Sequence, residues 1–142
     1  MAALRQLAES RPFMDMSRVG VFGLSWGGYN ALRAMLQAPD VFHGGIAISS
    51  VADLDDHSAL AIELYMGLPR DHREAYDFAS NVHLADRLRG KLLMIHGTSD
   101  VNATFSSTMK MVNALTENEK PYDLMIVPEM NHGPGPTRLR YF

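Results

Sequence analysis

Apolar positions along the chain follow two alternating rhythms. Short, near-continuous apolar runs occupy residues 19–22, 45–49, 91–96 and 122–127, and turn-forming glycine or proline lies close to their ends. Runs of that length with those flanks read as strands buried on both faces of a parallel sheet. Between them, apolar residues recur at helical spacing: Leu32, Met35 and Leu36 within residues 28–37, and Phe105, Met109, Val112 and Leu115 within residues 103–118. A further amphipathic helix is expected at residues 2–10, from Ala3, Leu4, Leu7 and Ala8, ended by Pro12. Residues 11–18 read as a connector into the first strand, with Asp15 and Ser17 as turn formers.

The stretch 53–81 is the least regular. A helix is expected at 59–66, stopped by Gly67-Leu68-Pro69, with shorter ones at 71–78 and 82–88, the last capped by Ser80 or Asn81. Strand, helix, strand with an apolar second strand is the parallel βαβ unit. The expected class is therefore α/β, a mostly parallel sheet of about four strands with flanking helices.

Composition narrows this little further. A chain of 142 residues suits one domain with one core. A formal net charge of -3 gives no basic footprint for nucleic acid and no polybasic patch for a membrane. No apolar run approaches the ~18 residues of a membrane span, and the first residues lack a signal-peptide pattern. With no cysteine, disulfides and thiolate metal sites are excluded, though no compartment follows. Asp53, Asp55 and Asp56 cluster, but without the calcium-loop spacing or a histidine pair. They read as a solvated loop or cap, so no metal and no cofactor is expected.

The chemistry-bearing residues stand where strands end. Gly23-Leu24-Ser25-Trp26-Gly27 is a Gly-X-Ser-X-Gly placed between an apolar run and a helix-like segment, the context a nucleophile elbow requires. The serine would sit on a strained turn where large side chains two positions to either side clash, so glycine is expected at both. Asp100 follows the strand at 91–96, and His132 follows the strand at 122–127. In an open parallel sheet these ends share one edge, where such folds build their sites. Ser25, Asp100, His132 is the chain order of α/β-hydrolase triads. The residue types fit: a serine hydroxyl needs a base, imidazole titrates near neutrality, and a carboxylate fixes the imidazole tautomer. Of the other histidines, His43, His57, His72 and His83 are expected to face solvent, and His96 to be a structural group bonded to backbone.

Taken together, Gly23-Leu24-Ser25-Trp26-Gly27-Gly28-Tyr29, Tyr65-Met66-Gly67-Leu68-Pro69, His96-Gly97-Thr98-Ser99-Asp100-Val101-Asn102 and Asn131-His132-Gly133 resemble the catalytic domain of the prolyl oligopeptidase family of serine peptidases, nearest its dipeptidyl peptidase IV branch. The resemblance covers nearly the whole chain. It implies Ser25 as nucleophile, His132 as general base and then acid, Asp100 as orienter and the Trp26 backbone N–H as an oxyanion donor. Asn102 and Tyr29 are implied in substrate binding, Asn102 at a substrate backbone carbonyl. In that branch tyrosines shape a proline pocket before the Tyr-Met-Gly-Leu-Pro motif; those places here hold His57 and Ala61.

The reading is then a serine-type peptidase acting on oligopeptides through an acyl-enzyme, with a peptide as partner. The alternatives are a carboxylesterase using the same triad, or a catalytically incomplete piece that only associates. Family catalytic domains begin with strands that precede the elbow, so the chain is expected to be the C-terminal part of a larger α/β-hydrolase domain. It would be a poor catalyst alone and prone to self-association through an exposed strand edge.

Overall fold

The computed structural model describes residues 2–55, 57 and 59–135. Its sheet has four parallel strands in sequential order: β1 (Gly20–Leu24), β2 (Gly44–Ile48), β3 (Lys91–Gly97) and β4 (Asp123–Val127). Helices α1 (Ala2–Glu9), α2 (Trp26–Gln37), α3 (Ala59–Met66), α4 (Arg73–Ala79) and α5 (Phe105–Glu117) lie before and between them. All four expected strands and the major helices are present, within two or three residues of the anticipated ends. After His132 the sequence leads toward a further helix, and residues 136–142 lie outside the described residues.

The segment 82–88 differs from expectation. It forms a 3-10 helix, Val82–Arg87, and Asn81 makes no side-chain cap bond. Asn81 is instead buried, and its amide nitrogen donates to the Tyr29 carbonyl at 3.1 Å. Ser80 closes α4 as its C-cap residue. Tertiary burial has taken both capping candidates.

Side chains alternate across each strand, so residues in register share a face. Gly23, Ala47, Met94 and Leu124 fall on one face of the sheet. Ala47, Met94 and Leu124, together with Val21 and Leu92, pack there against Leu32, Met35 and Leu36 of α2, Ala85 and Leu88 around the 3-10 helix, and Met111 and Leu115 of α5. Each fully buried Leu or Met contributes about 1.5–3 kcal/mol. The other face is bare at its start: Phe22 and Ile46 lie side by side in register and are 68% and 37% exposed. A second, smaller cluster of Val51, Leu54, Ile62, Tyr76 and Ala103 sits beyond the strand ends, with Tyr29 and Met66 packed on it.

Candidate active site

The turn between β1 and α2 is a sharp elbow. Ser25 has φ 58° and ψ -119°, a region that L-residues avoid, and its amide donates to the Ile48 carbonyl of β2 at 2.9 Å. Holding a non-glycine residue there costs about 1–3 kcal/mol, which the surrounding bonds must offset. Close approach explains part of the glycine pattern. A Cβ on Gly23 would lie 1.9 Å from the Gly27 carbonyl oxygen, so position 23 admits glycine alone. Gly27 is a correction: a Cβ there meets nothing within 4 Å. The second tight position is Gly28, whose Cβ would lie 2.9 Å from both the Ile48 carbonyl oxygen and Ser50 Cβ.

Asp100 and His132 are joined by the same economy of space. A Cβ on Gly97 would lie 2.0 Å from the Met130 carbonyl oxygen, so the bare glycine lets the segment after β4 lean on the end of β3. Three hydrogen bonds fasten it: Thr98 N–H to the Val127 carbonyl at 3.2 Å, Ser99 N–H to the Met130 carbonyl at 3.1 Å, and Glu129 N–H to Thr98 Oγ1 at 3.0 Å. His132 Nδ1 then reaches Asp100 Oδ2 at 2.9 Å and Oδ1 at 3.1 Å. The Asp100 side chain is 0% exposed and that of His132 is 23% exposed. The amides of Asn102 and Ala103 also donate to Asp100 Oδ1, at 2.9 and 3.0 Å. Burial pushes the Asp100 carboxyl up, but the donors from His132, Ala103 and Asn102 outweigh it and hold the group below the usual carboxylate range.

A second histidine stands behind Asp100. His96 is fully buried, with Nδ1 2.7 Å from Thr108 Oγ1 and Nε2 2.8 Å from the Ala103 carbonyl oxygen, as the structural reading of this residue anticipates. Its Nε2 is also 3.4 Å from Asp100 Oδ2. Burial lowers the affinity of this ring for a second proton.

The expectation that His57 faces solvent does not hold. Its ring is half-buried edge-on to Trp26, with centroids 5.5 Å apart and planes at 88°. Burial lowers its pKa, the nearby His132 adds to that, and Asp100 opposes it. His43, His72 and His83 are exposed, as anticipated. Trp26 also meets Tyr29 edge-on at 5.6 Å, so an aromatic wall stands directly after the serine. The Tyr29 hydroxyl is engaged, donating to the Ala79 carbonyl at 2.7 Å, and burial raises its pKa. Asn102 is exposed on the turn beside Asp100. Asp55 of the acidic cluster is gripped by both terminal nitrogens of Arg73, at 2.9 and 3.0 Å, and Asp53 lies 3.6 Å from Lys110. Asp56 lies outside the described residues.

One residue at this edge escaped the sequence reading. Ser49 follows β2 directly, has φ 44° and is fully buried, and its hydroxyl oxygen accepts from the Gly133 amide at 3.4 Å. It links the segment that carries His132 to the strand beside the elbow. The signal was available, since Ser49 follows a strand end as Ser25 and Asp100 do.

The sequence model of the prolyl oligopeptidase family matches residues 1–141. The chain belongs to the prolyl oligopeptidase family. Among curated members, it is 35% identical over 132 residues to dipeptidyl peptidase 8 of Mus musculus and to that of Homo sapiens, covering 91% of this chain and 15% of each relative. It thus spans about 15% of the length of those relatives. Among solved structures it is similar to Porphyromonas gingivalis dipeptidyl peptidase 4, with a TM-score of 0.92 and 31% identity, over 99% of this chain and 20% of that one. The parallel sheet with its flanking helices is therefore the α/β-hydrolase fold.

Proposed function

We propose that this chain carries the catalytic residues of a serine-type peptidase that hydrolyses oligopeptides through an acyl-enzyme. It would do so as the C-terminal part of an α/β-hydrolase catalytic domain within a longer polypeptide. The observation that carries the reading is the Asp100–His132 pairing. A carboxylate bonded to Nδ1 keeps the proton there and leaves Nε2 as the basic nitrogen, the tautomer a serine nucleophile needs. Ser25, on its strained turn at the same edge of the sheet, supplies the hydroxyl.

In this reading Ser25 Oγ attacks the scissile carbonyl carbon while His132 Nε2 takes the hydroxyl proton. The backbone N–H of Trp26 donates to the oxyanion. His132 passes the proton to the departing amine, leaving an acyl ester on Ser25. Water then repeats the sequence, with His132 as base, and releases the acid. The Asp100 carboxylate stays ionised throughout, which its donors favour. Trp26, the residue after the serine, is fixed edge-on against both His57 and Tyr29. Asn102, exposed on the turn beside Asp100, would hold a substrate carbonyl.

The test is labelling by a fluorophosphonate followed by mapping of the modified residue, with hydrolysis of a peptide anilide compared with a short acyl ester. Modification at Ser25 with faster turnover of the anilide supports the reading. Ester turnover alone would make it a carboxylesterase. No modification at Ser25 would remove the nucleophile assignment.

A further inference from the structure

His96 lies at the centre of a bonded path that ends at His132, and neither the family match nor the triad assigns it a part. Its Nε2 faces a backbone carbonyl, that of Ala103, at 2.8 Å. A carbonyl oxygen only accepts, so Nε2 must carry a proton. On the other side of the ring, Nδ1 faces the hydroxyl of Thr108 at 2.7 Å, and a hydroxyl can donate. The neutral ring with its proton on Nε2 satisfies both contacts, with Thr108 donating to Nδ1. Full burial disfavours the doubly protonated alternative.

Ala103 is bonded on both of its polar atoms. Its carbonyl accepts from His96, and its amide donates to Asp100 Oδ1 at 3.0 Å. The same His96 N–H stands 3.4 Å from Asp100 Oδ2, on which His132 also bears. The Phe105 ring closes against His96 edge-on at 5.8 Å, so the imidazole has little room to rotate. The titratable neighbours of this group are Asp100 and His132, with His57 approaching His132 from the loop after β2.

We propose that His96 is a positioning residue of this site: locked in one tautomer by Thr108, it pins Ala103 and thereby fixes the carboxylate that orients His132. The proposal rests on the reading of Asp100 and His132 as working groups. It adds that their alignment depends on a hydroxyl of α5 that touches neither of them. Residues that orient metal ligands from the outer shell are typically worth about 10- to 100-fold in affinity or activity, and Thr108 is given the same weight toward Asp100.

Three measurements test this. In the wild-type chain, nitrogen-15 NMR of His96 at neutral pH should show a neutral ring protonated on Nε2; a ring protonated on Nδ1 overturns the proposal without any mutation. In Thr108→Val the His132 Nδ1 proton should exchange with solvent faster, and fluorophosphonate labelling of Ser25 should slow by about 10- to 100-fold. Thr108→Ser, which restores the hydroxyl, should recover both. Wild-type proton exchange and labelling rate in a folded Thr108→Val overturn the proposal. If Thr108→Val fails to fold, failure of Thr108→Ser to retain the wild-type values overturns it. Absence of labelling in the wild type would instead refute the serine-hydrolase reading, while the His96 tautomer and the His132 proton still decide the role of His96.

Discussion

Asp100 and His132, 32 residues apart in the chain, meet with the imidazole Nδ1 within 3.1 Å of both carboxylate oxygens. The two residues are placed differently. Asp100 is held by the two amides of its turn, and His132 by the backbone bonds that lay the segment after β4 over Gly97. The pair is therefore a product of two adjacent parallel strands ending at the same level.

Ser25→Ala and His132→Ala should each lower hydrolysis by roughly 10^4- to 10^6-fold, and the double variant should be little worse than either, because members of a triad act as a unit. Steady-state rates on the best available substrate check this. Retention of most turnover in either single variant would dissolve the assignment.

The three glycines around the elbow should respond differently to alanine. Gly23→Ala should cost about 3 kcal/mol or more, because the new Cβ has backbone to displace. Gly28→Ala should cost about 1–3 kcal/mol, from a tighter contact with Ile48 and Ser50. Gly27→Ala enters open space in the first turn of α2 and should be neutral or stabilise by up to ~1 kcal/mol. Urea denaturation of the three variants gives the order, and a Gly27→Ala as harmful as Gly23→Ala would contradict it.

Asn102→Ala should slow peptide hydrolysis more than ester hydrolysis. Loss of one hydrogen bond to a substrate carbonyl is worth about 0.5–1.5 kcal/mol, or up to roughly tenfold. Equal losses on an anilide and on an ester would leave Asn102 as a turn residue only.

Stability should decline on mild acidification. His96 is held neutral by burial, with its pKa pushed below the ordinary 6.5 that the unfolded chain regains. Below that value the unfolded state binds more protons than the folded one. Stability is thus lost as pH falls from 6.5 toward the depressed value, by up to about 1.4 kcal/mol per pH unit for one excluded proton. His57 shifts in the same direction and adds to the loss. Asp100, whose pKa is also depressed, contributes stability that is complete above its ordinary 3.8 and disappears only as pH falls through its lower folded value. Urea midpoints at about pH 7.5 and about pH 5.5 test the histidine contribution, and equal midpoints would refute it.

The chain expressed alone should self-associate through the bare start of the sheet. Phe22 and Ile46 form an apolar pair in register there, and among the described residues β1 pairs only with β2. An exposed strand edge beside an apolar face is a template for association. Sedimentation should give a mass above that of the monomer, reduced by Phe22→Lys. A wild-type chain that sediments as a monomer would show that this face is tolerated in water.

How much was legible depended on the range of the interactions involved. Strands, helices and the elbow are local matters: apolar runs of strand length, helical spacing, and a serine between glycines at a strand-to-helix turn all lie within a few residues of one another. Parallel order followed from the intervening helices, and the shared edge of Ser25, Asp100 and His132 followed from that order, since every strand of a parallel sheet ends on the same side. Tertiary structure decided what each side chain meets there. Which glycine is indispensable depended on the path of β2 beneath α2, so Gly28 took the role expected of Gly27. Asn81 was turned inward from a cap to the Tyr29 carbonyl, and His57 was folded from solvent onto Trp26. Ser49 and His96 acquired their places through contacts with Gly133, Ala103 and Thr108. Spacing along a chain constrains partners a turn or a strand away, whereas these contacts depend on how layers pack, and only the packed sheet and its helices determine them.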